Sequence, residues 1–420
     1  MSVFCGRLVS ALIGIAAAIG LFFGARGGLG ARAKAIGATA AGQRAGFAVL
    51  RFFKPRLGLA RNPIGSYEGS GALVVTRAED FRDAIARQAE FEVVYGPRMR
   101  ALTGGRDFFL GLQDGPEYRR DTAAMREIVH RNDLAPVLAM ARATAAAACA
   151  GNEVDLPPAL TAKVPAEMVR GYFGIEMDPA ALIADATALF HYLFSDLDAD
   201  PAATVRAMAA KDRVNAAIDA SAGRAGPETL LGRAVAAGKA GDPAFDAPGI
   251  RANMIGIAIG AIPTLNKASC LAIEELCRRP DALALARAAA ATGDEPALAA
   301  FLWEALRFNP VSPLLYRRAV SDTRLGGTPV KAGTMLLAAS LSATFDEAAL
   351  AAPRAFRTSR PWSDYIPWGE GLHRCWGDHI NRAILPAMLA PLLAKPGLRV
   401  LAPIETDGMP YPIHFRLGWG

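Results

Sequence analysis

Five cysteines occur in this 420-residue chain, and one sits where a thiol can do chemistry. Residues 366–383 read IPWGEGLHRCWGDHINRA, with Cys375 between Arg374 and Trp376 in a glycine-rich turn that leads into a helix. Free backbone N–H groups and the helix dipole at such a start stabilise a thiolate. A thiolate serves as a nucleophile or as a metal ligand. His379, four residues on, supplies a base for the first role. Gly369, Gly371 and Gly377 speak for the second, because glycine lets the backbone approach a large flat group and turn its amides toward the sulfur. Cys5, Cys149, Cys270 and Cys277 form no C-x-x-C and the total is odd, so neither a disulfide framework nor a zinc ribbon is supported. Cys270 and Cys277 read as small apolar residues on one helix face.

The segment WGEGLHRCWG resembles the cysteine-loop signature of cytochromes P450, Phe-Gly-x-Gly-x-His-x-Cys-x-Gly. Gly369, Gly371, His373, Cys375 and Gly377 match it, and Trp368 stands for the usual Phe. Upstream, EALRFNP resembles the family's Glu-x-x-Arg helix. Glu304 and Arg307 are three apart and share a helix face. The resemblance implies that an arginine before the cysteine loop locks this pair, with Arg360 better placed than Arg357. In LLYRRAV, the family's Arg-x-Ala pattern selects Arg317 as a haem propionate partner, a role a guanidinium suits, and His373 holds a propionate in the same way. The resemblance covers residues from about 60 onward. It implies a mainly α fold with small β-sheets, a triangular helical prism around haem b (iron protoporphyrin IX) with Cys375 as the thiolate axial ligand.

Two segments depart from the family pattern. The long helix carries GAIPT, residues 260–264, where the family has a small-residue groove, an acid and then Thr. Thr264 is kept for oxygen and proton handling. Pro263 replaces the acid, which removes a helical N–H, frees the carbonyl of Ile259 and predicts a kink. In DGPEYRRDT, Tyr118 stands where many bacterial members have a propionate-binding His, and Thr122 where they have Arg. Tyr118 retains a donor, and Arg120 or Arg126 is the candidate replacement charge.

The implied activity is a haem-thiolate monooxygenase that inserts one oxygen atom from O2 into a hydrophobic small molecule. A separate ferredoxin- or flavodoxin-type donor supplies electrons, since the chain leaves no room for a reductase domain after the ligand. Loss of the acid keeps a peroxide-dependent peroxygenase or a lipid hydroperoxide isomerase as an alternative, since neither draws on external electrons. A non-catalytic haem-binding sensor and a cysteine hydrolase built on Cys375 and His379 are lesser alternatives. Phe108 or Phe109 and the apolar run Ile257–Ile262 are expected above the haem. The chain is expected to act as a monomer.

The elements that must position these residues are mostly helical. Ala-rich runs favour helix, a buried helical run covers 247–280, and another ends at Pro310 with Asp294 as its cap. Pro116 opens a helix, and Thr76 is read as the cap of the helix that follows ALVVTRA. Strand character is confined to ALVVTRA, FEVVYG, LLYRRAV and TMLLAAS, the last two joined by turn chemistry. Residues 1–67 hold nine Lys and Arg and no acid, while the rest is mildly acidic, so no folded basic patch argues for nucleic acid. Residues 8–24 carry no charge and as a helix span roughly 25 Å, at the short end for crossing a bilayer. Residues 1–60 are read as an apolar anchor plus a basic linker with Pro55 and Pro63 as a hinge, and 61–420 as the haem domain. Flanking charge keeps that domain in the cytoplasm. A signal peptide, a transit peptide or a plain hydrophobic tail are the other readings of the segment.

Overall fold

A computed structural model describes residues 3–130 and 133–420. The chain divides into two compact units. The first comprises the stretch ending at Pro63 together with Glu68–Val94 and Trp303–Cys375. The second comprises Ile64–Tyr67, Tyr95–Leu302 and Trp376–Gly420. Helices dominate and the sheets are small.

The first unit is built on a five-stranded mixed sheet in the order Arg56–Leu59, Gly71–Val75, Thr334–Ala338, Leu315–Ala319, Phe91–Glu92. Only the Gly71–Val75 and Thr334–Ala338 pair is parallel. Alternation sends Leu73, Val75 and Leu336 into one apolar cluster with Phe91 and Ala319. Leu315 and Ala338, farther along the same two strands, join a second cluster with Phe81, Ile85 and Ile366. This sheet fixes Arg317, which pairs in register with Leu336. The turn between LLYRRAV and TMLLAAS is a small hairpin, Thr323–Leu325 with Thr328–Val330. Its Gly326 and Gly327 take φ of 51° and 82°.

Thr76 is not a helix cap. Arg77 holds that position, and the Thr76 hydroxyl donates instead to the carbonyl of Pro55 at 3.1 Å. Asp294 does cap its helix, accepting from the N–H of Ala297 at 3.0 Å. FEVVYG yields a strand of only two residues, Phe91–Glu92.

The stretch read as anchor and linker forms three helices, Val3–Gly24, Leu29–Gly37 and Ala40–Phe53. The first is held to the body of its unit by charge. Arg7 forks the buried carboxylate of Asp346 with two bonds of 2.8 Å. The third is held by Arg51, buried itself, which donates to the carbonyl and hydroxyl of Ser342 at 3.1 and 3.0 Å. Such bidentate, desolvated contacts are the strong class of hydrogen bond.

The second unit is organised around the 31-residue helix Ala247–Cys277. Asp246 caps it, accepting from the N–H of Gly249 at 2.7 Å. The helix runs on through Pro263 without a break in assignment. Helices Pro179–Phe190 and Pro201–Ala222 pack beside it. A three-stranded sheet, Glu153–Asp155, Arg416–Gly418 and Arg399–Val400, closes the C-terminal part of the unit.

Candidate active site

The cysteine loop belongs to the first unit. Gly369 and Gly371 have φ of 75° and 70°, a region that L side chains rarely adopt. Those two residues turn the chain so that the N–H of Cys375 donates to the carbonyl of Trp368 at 2.8 Å. Cys375 itself is exposed. Trp368 is buried and meets Trp303 edge-on at 5.3 Å and Trp362 at 5.0 Å between ring centres. The Arg374 guanidinium sits over the Trp362 ring at 5.4 Å. Three tryptophans from three separate stretches thus brace the loop. Their spacing along the chain carried no signal, and sequence reasoning picked out only Trp368.

Behind the loop lies a closed charge cluster. Glu304 and Arg307 are both 0% exposed. The Arg307 guanidinium donates to both Glu304 oxygens at 2.9 and 2.7 Å and to the carbonyl of Thr344 at 3.1 Å. Arg360 donates through Nε to the same carboxylate at 3.2 Å and through its other nitrogens to the carbonyls of Ala351, Ala352 and Ala355. Arg357 contributes only its backbone N–H, at 2.9 Å from Glu304 Oε1. The helix Glu295–Phe308 is thereby stitched to the irregular stretch that precedes the cysteine loop.

Arg317 is buried on its strand. His373 is mostly buried, and desolvation together with the charge of Arg317 lowers its pKa to about 4. The Arg317 guanidinium thus keeps the neighbouring imidazole neutral, and an anion placed between them would favour the charged form of both. Propionates have that chemistry. A second test of fit concerns metal. Among the described residues no group of three or more His, Cys, Asp or Glu side chains could hold an ion, so a metal on Cys375 has to bring its other ligands with it. A haem does so.

In the second unit, Gly377 opens the helix Asp378–Leu393, and a Cβ built there meets nothing within 4 Å. The same is true of Gly260 on the long helix. Neither glycine is required by protein neighbours, which suits a flat group approaching both. Tyr118 and Thr122 are buried on the helix Pro116–Ile128. Arg120 is engaged elsewhere, with Asp121 at 2.7 Å and Glu117 at 3.5 Å, and Arg126 is exposed. Of the propionate candidates Tyr118, Arg120 and Arg126 on this helix, Tyr118 is the buried one. Phe108 and Phe109 are buried. A Cβ on Gly256 would come within 2.5 Å of the Phe108 ring, and Phe109 packs against Trp376 at 5.5 Å. His379, the alternative base, stands edge-on to Trp376 at 6.4 Å.

The long helix is buried on nearly every side except along one stripe. In its middle, Ile257, Ala261, Thr264, Lys267 and Leu271 are the accessible positions together with Gly260, and apart from the neighbours Gly260 and Ala261 they follow at three or four residues, as one helical face requires. Thr264 lies in the middle. Its hydroxyl donates back to the carbonyls of Gly260 and Ala261 and keeps its acceptor lone pairs. Pro263 is buried beside it.

Residues 228–395 match the family model described as Cytochrome P450. The chain is 38% identical over 107 residues to the putative cytochrome P450 YjiB of Bacillus subtilis, covering 25% of this chain and 27% of that one. It is 24% identical over 375 residues to cytochrome P450 105A3 of Streptomyces carbophilus, covering 82% and 85%. The chain thus spans little more than a quarter of the Bacillus relative in its best-matched stretch. Among solved structures, CalO2 superposes with a TM-score of 0.74 at 19% identity, over 89% of this chain and 95% of that one. That likeness speaks for the fold.

Proposed function

We propose that the chain is a cytochrome P450-type haem-thiolate monooxygenase of hydrophobic small molecules, a reading its likeness to that family supports. The observation that carries this reading is the braced loop presenting Cys375, with the Arg317 and His373 pair in the same unit. Cys375 would ligate the iron of haem b, while Arg317, His373 and Tyr118 would hold its propionates. Bound there, a thiolate-ligated haem supplies an iron centre whose electron density favours O–O cleavage. The overall balance takes one C–H bond, O2, two electrons and two protons to a C–OH group and water. A separate ferredoxin- or flavodoxin-type donor provides the electrons.

The chain's own residues handle the protons. The Thr264 hydroxyl accepts from water while donating to its helix, so one proton can pass at its Oγ1. Pro263 supplies no carboxylate beside it, so water carries the remaining step of the relay. That same substitution favours a second reading, a peroxide-dependent oxygenation or hydroperoxide isomerisation, in which the relay matters less.

The test begins with the reduced, CO-bound spectrum of the purified protein. A band at about 450 nm is expected for thiolate ligation. Its absence in folded, haem-loaded protein overturns the reading. Product from NAD(P)H and a redox chain, with none from peroxide alone, supports the monooxygenase. Product from peroxide without reductase selects the second reading.

We read the haem domain as a cytoplasmic monomer in contact with a membrane surface. The helix Val3–Gly24 exposes Phe4, Leu12, Ile19 and Phe23, the last 76% accessible. The clasp of Arg7 to Asp346 ties its first turns to the body, so the helix would lie on the bilayer rather than cross it. Flotation with liposomes tests this, and recovery of the whole protein at the bottom of the gradient argues against it.

A further inference from the structure

One cation on the long helix is left without an anion. Lys267 lies on the accessible stripe three residues beyond Thr264. Among the described residues its ammonium has no hydrogen bond and no ion pair. Its contact is the ring of Tyr411, whose centre lies 5.5 Å from Nζ. By contrast, Lys331 pairs with Asp322 at 2.6 Å. Lysine seldom stays buried unless it is paired, and burial alone lowers this one to about 8. It therefore remains mostly charged at neutral pH while having lost much of its water.

The surroundings hold the charge in place. Asn266 donates to the carbonyl of Pro412 at 2.9 Å and accepts from Thr161 at 2.8 Å. Consecutive helix residues, Asn266 and Lys267, thus grip consecutive loop residues, Pro412 and Tyr411. The buried Tyr411 ring packs edge-on against Phe190 at 5.1 Å, and its hydroxyl meets that of Ser195 at 3.3 Å. The result is one cation held against the Tyr411–Phe190 ring pair, on the same helix face as Thr264. Residues three apart on a helix have Cβ atoms about 5–6 Å apart.

Resting on the monooxygenase reading above, we propose that the substrate is an apolar carboxylic acid whose carboxylate pairs with Lys267. Binding then replaces the ammonium's lost hydration with a charge-assisted hydrogen bond. The carboxylate is held a helical turn from Thr264, and the apolar body runs back along the stripe. Oxidation falls on a carbon several bonds away from the carboxylate. A neutral analogue of the same shape leaves the cation unpaired and binds more weakly.

The experiment uses haem-loaded full-length protein whose CO-bound band has been verified. Dissociation constants are measured calorimetrically for decanoate against 1-decanol and for adamantane-1-carboxylate against 1-adamantanol. At least one acid is expected to bind about 10-fold or more tightly than its alcohol, the scale of one hydrogen bond to a charged group. Lys267→Met is expected to bring acid and alcohol within about threefold of each other, with Lys267→Gln as the second variant. In the unaltered protein the preference should fade as pH rises past about 8. Tyr411 is pushed up well beyond that window by burial and stays protonated. The proposal is overturned if neither acid out-binds its alcohol, or if the preference survives in the variants or persists at high pH. A missing CO-bound band sinks the haem-thiolate reading instead, so the two failures are distinguishable.

Discussion

The Glu304 cluster and the stripe around Lys267 treat buried charge in opposite ways. Around Glu304, two guanidiniums, a backbone N–H and four carbonyls from the irregular stretch saturate one another. Both carboxylate oxygens and both guanidiniums are engaged within the protein, so the cluster holds structure. Lys267 has aromatic contact and, among the described residues, no counter-charge. A protein tolerates an uncompensated buried cation where something else completes it. The closed cluster secures the loop that presents the thiolate, and the open stripe is where a substrate makes its own contacts.

That contrast can be broken at its strongest point first. Cys375→Ser should abolish the CO-bound band and turnover together, since a serine oxygen does not replace a thiolate's electron donation; absorbance and product assays check it. Glu304→Gln comes next. It leaves Arg307 and Arg360 buried beside a neutral amide, and breaking a buried pair this way costs about 3–5 kcal/mol. Denaturant melts should show that loss, and haem retention should fall with it. Thr264→Ala should lower kcat about 100-fold with little change in KM, the lower end of what one positioned proton-transfer group contributes. Trp362→Ala removes three ring contacts, with Trp303, Tyr365 and Trp368, and should cost about 1–2 kcal/mol.

The smallest effect is a pH slope in the haem-free protein. The folded-state pKa of His373 is depressed to about 4, below the ordinary value of about 6.5. Between those values the unfolded chain binds the extra proton and the native one does not. Stability therefore falls as pH drops from about 6.5 toward about 4, then levels off. His373→Gln should flatten that part of the profile. An anion bound between His373 and Arg317 should flatten it too, because it raises the imidazole pKa again.

The thiolate loop was legible because rare residue types at fixed spacing leave few other meanings. Cys375, His373 and three glycines constrain one another within nine residues of chain, as do Glu304 and Arg307 on one helix face. What stayed illegible depends on residues brought together from afar. Trp303 and Trp362 brace the loop from stretches whose spacing carries no pattern. Lys267 looks like any solvated helix cation until its neighbours are seen to be buried. Thr76 has the right side chain for a cap, yet the Pro55 carbonyl, 21 residues away, takes its hydroxyl. The basic segment read as a linker became helix because Arg7 and Arg51 found partners near residue 345. Arg120 satisfied the charge pattern, but the adjacent Asp121 engages it.

The clasp between Arg7 and Asp346 has a consequence for biosynthesis. The two residues are 339 positions apart. At roughly 5–20 residues per second of translation, Arg7 leaves the ribosome some tens of seconds before its partner exists. During that interval the helix Val3–Gly24 has only near neighbours in the chain to pack on, chiefly Ala40–Phe53. The clasp is therefore among the last contacts of the first unit that synthesis allows, and it can form only once Asp346 has been made.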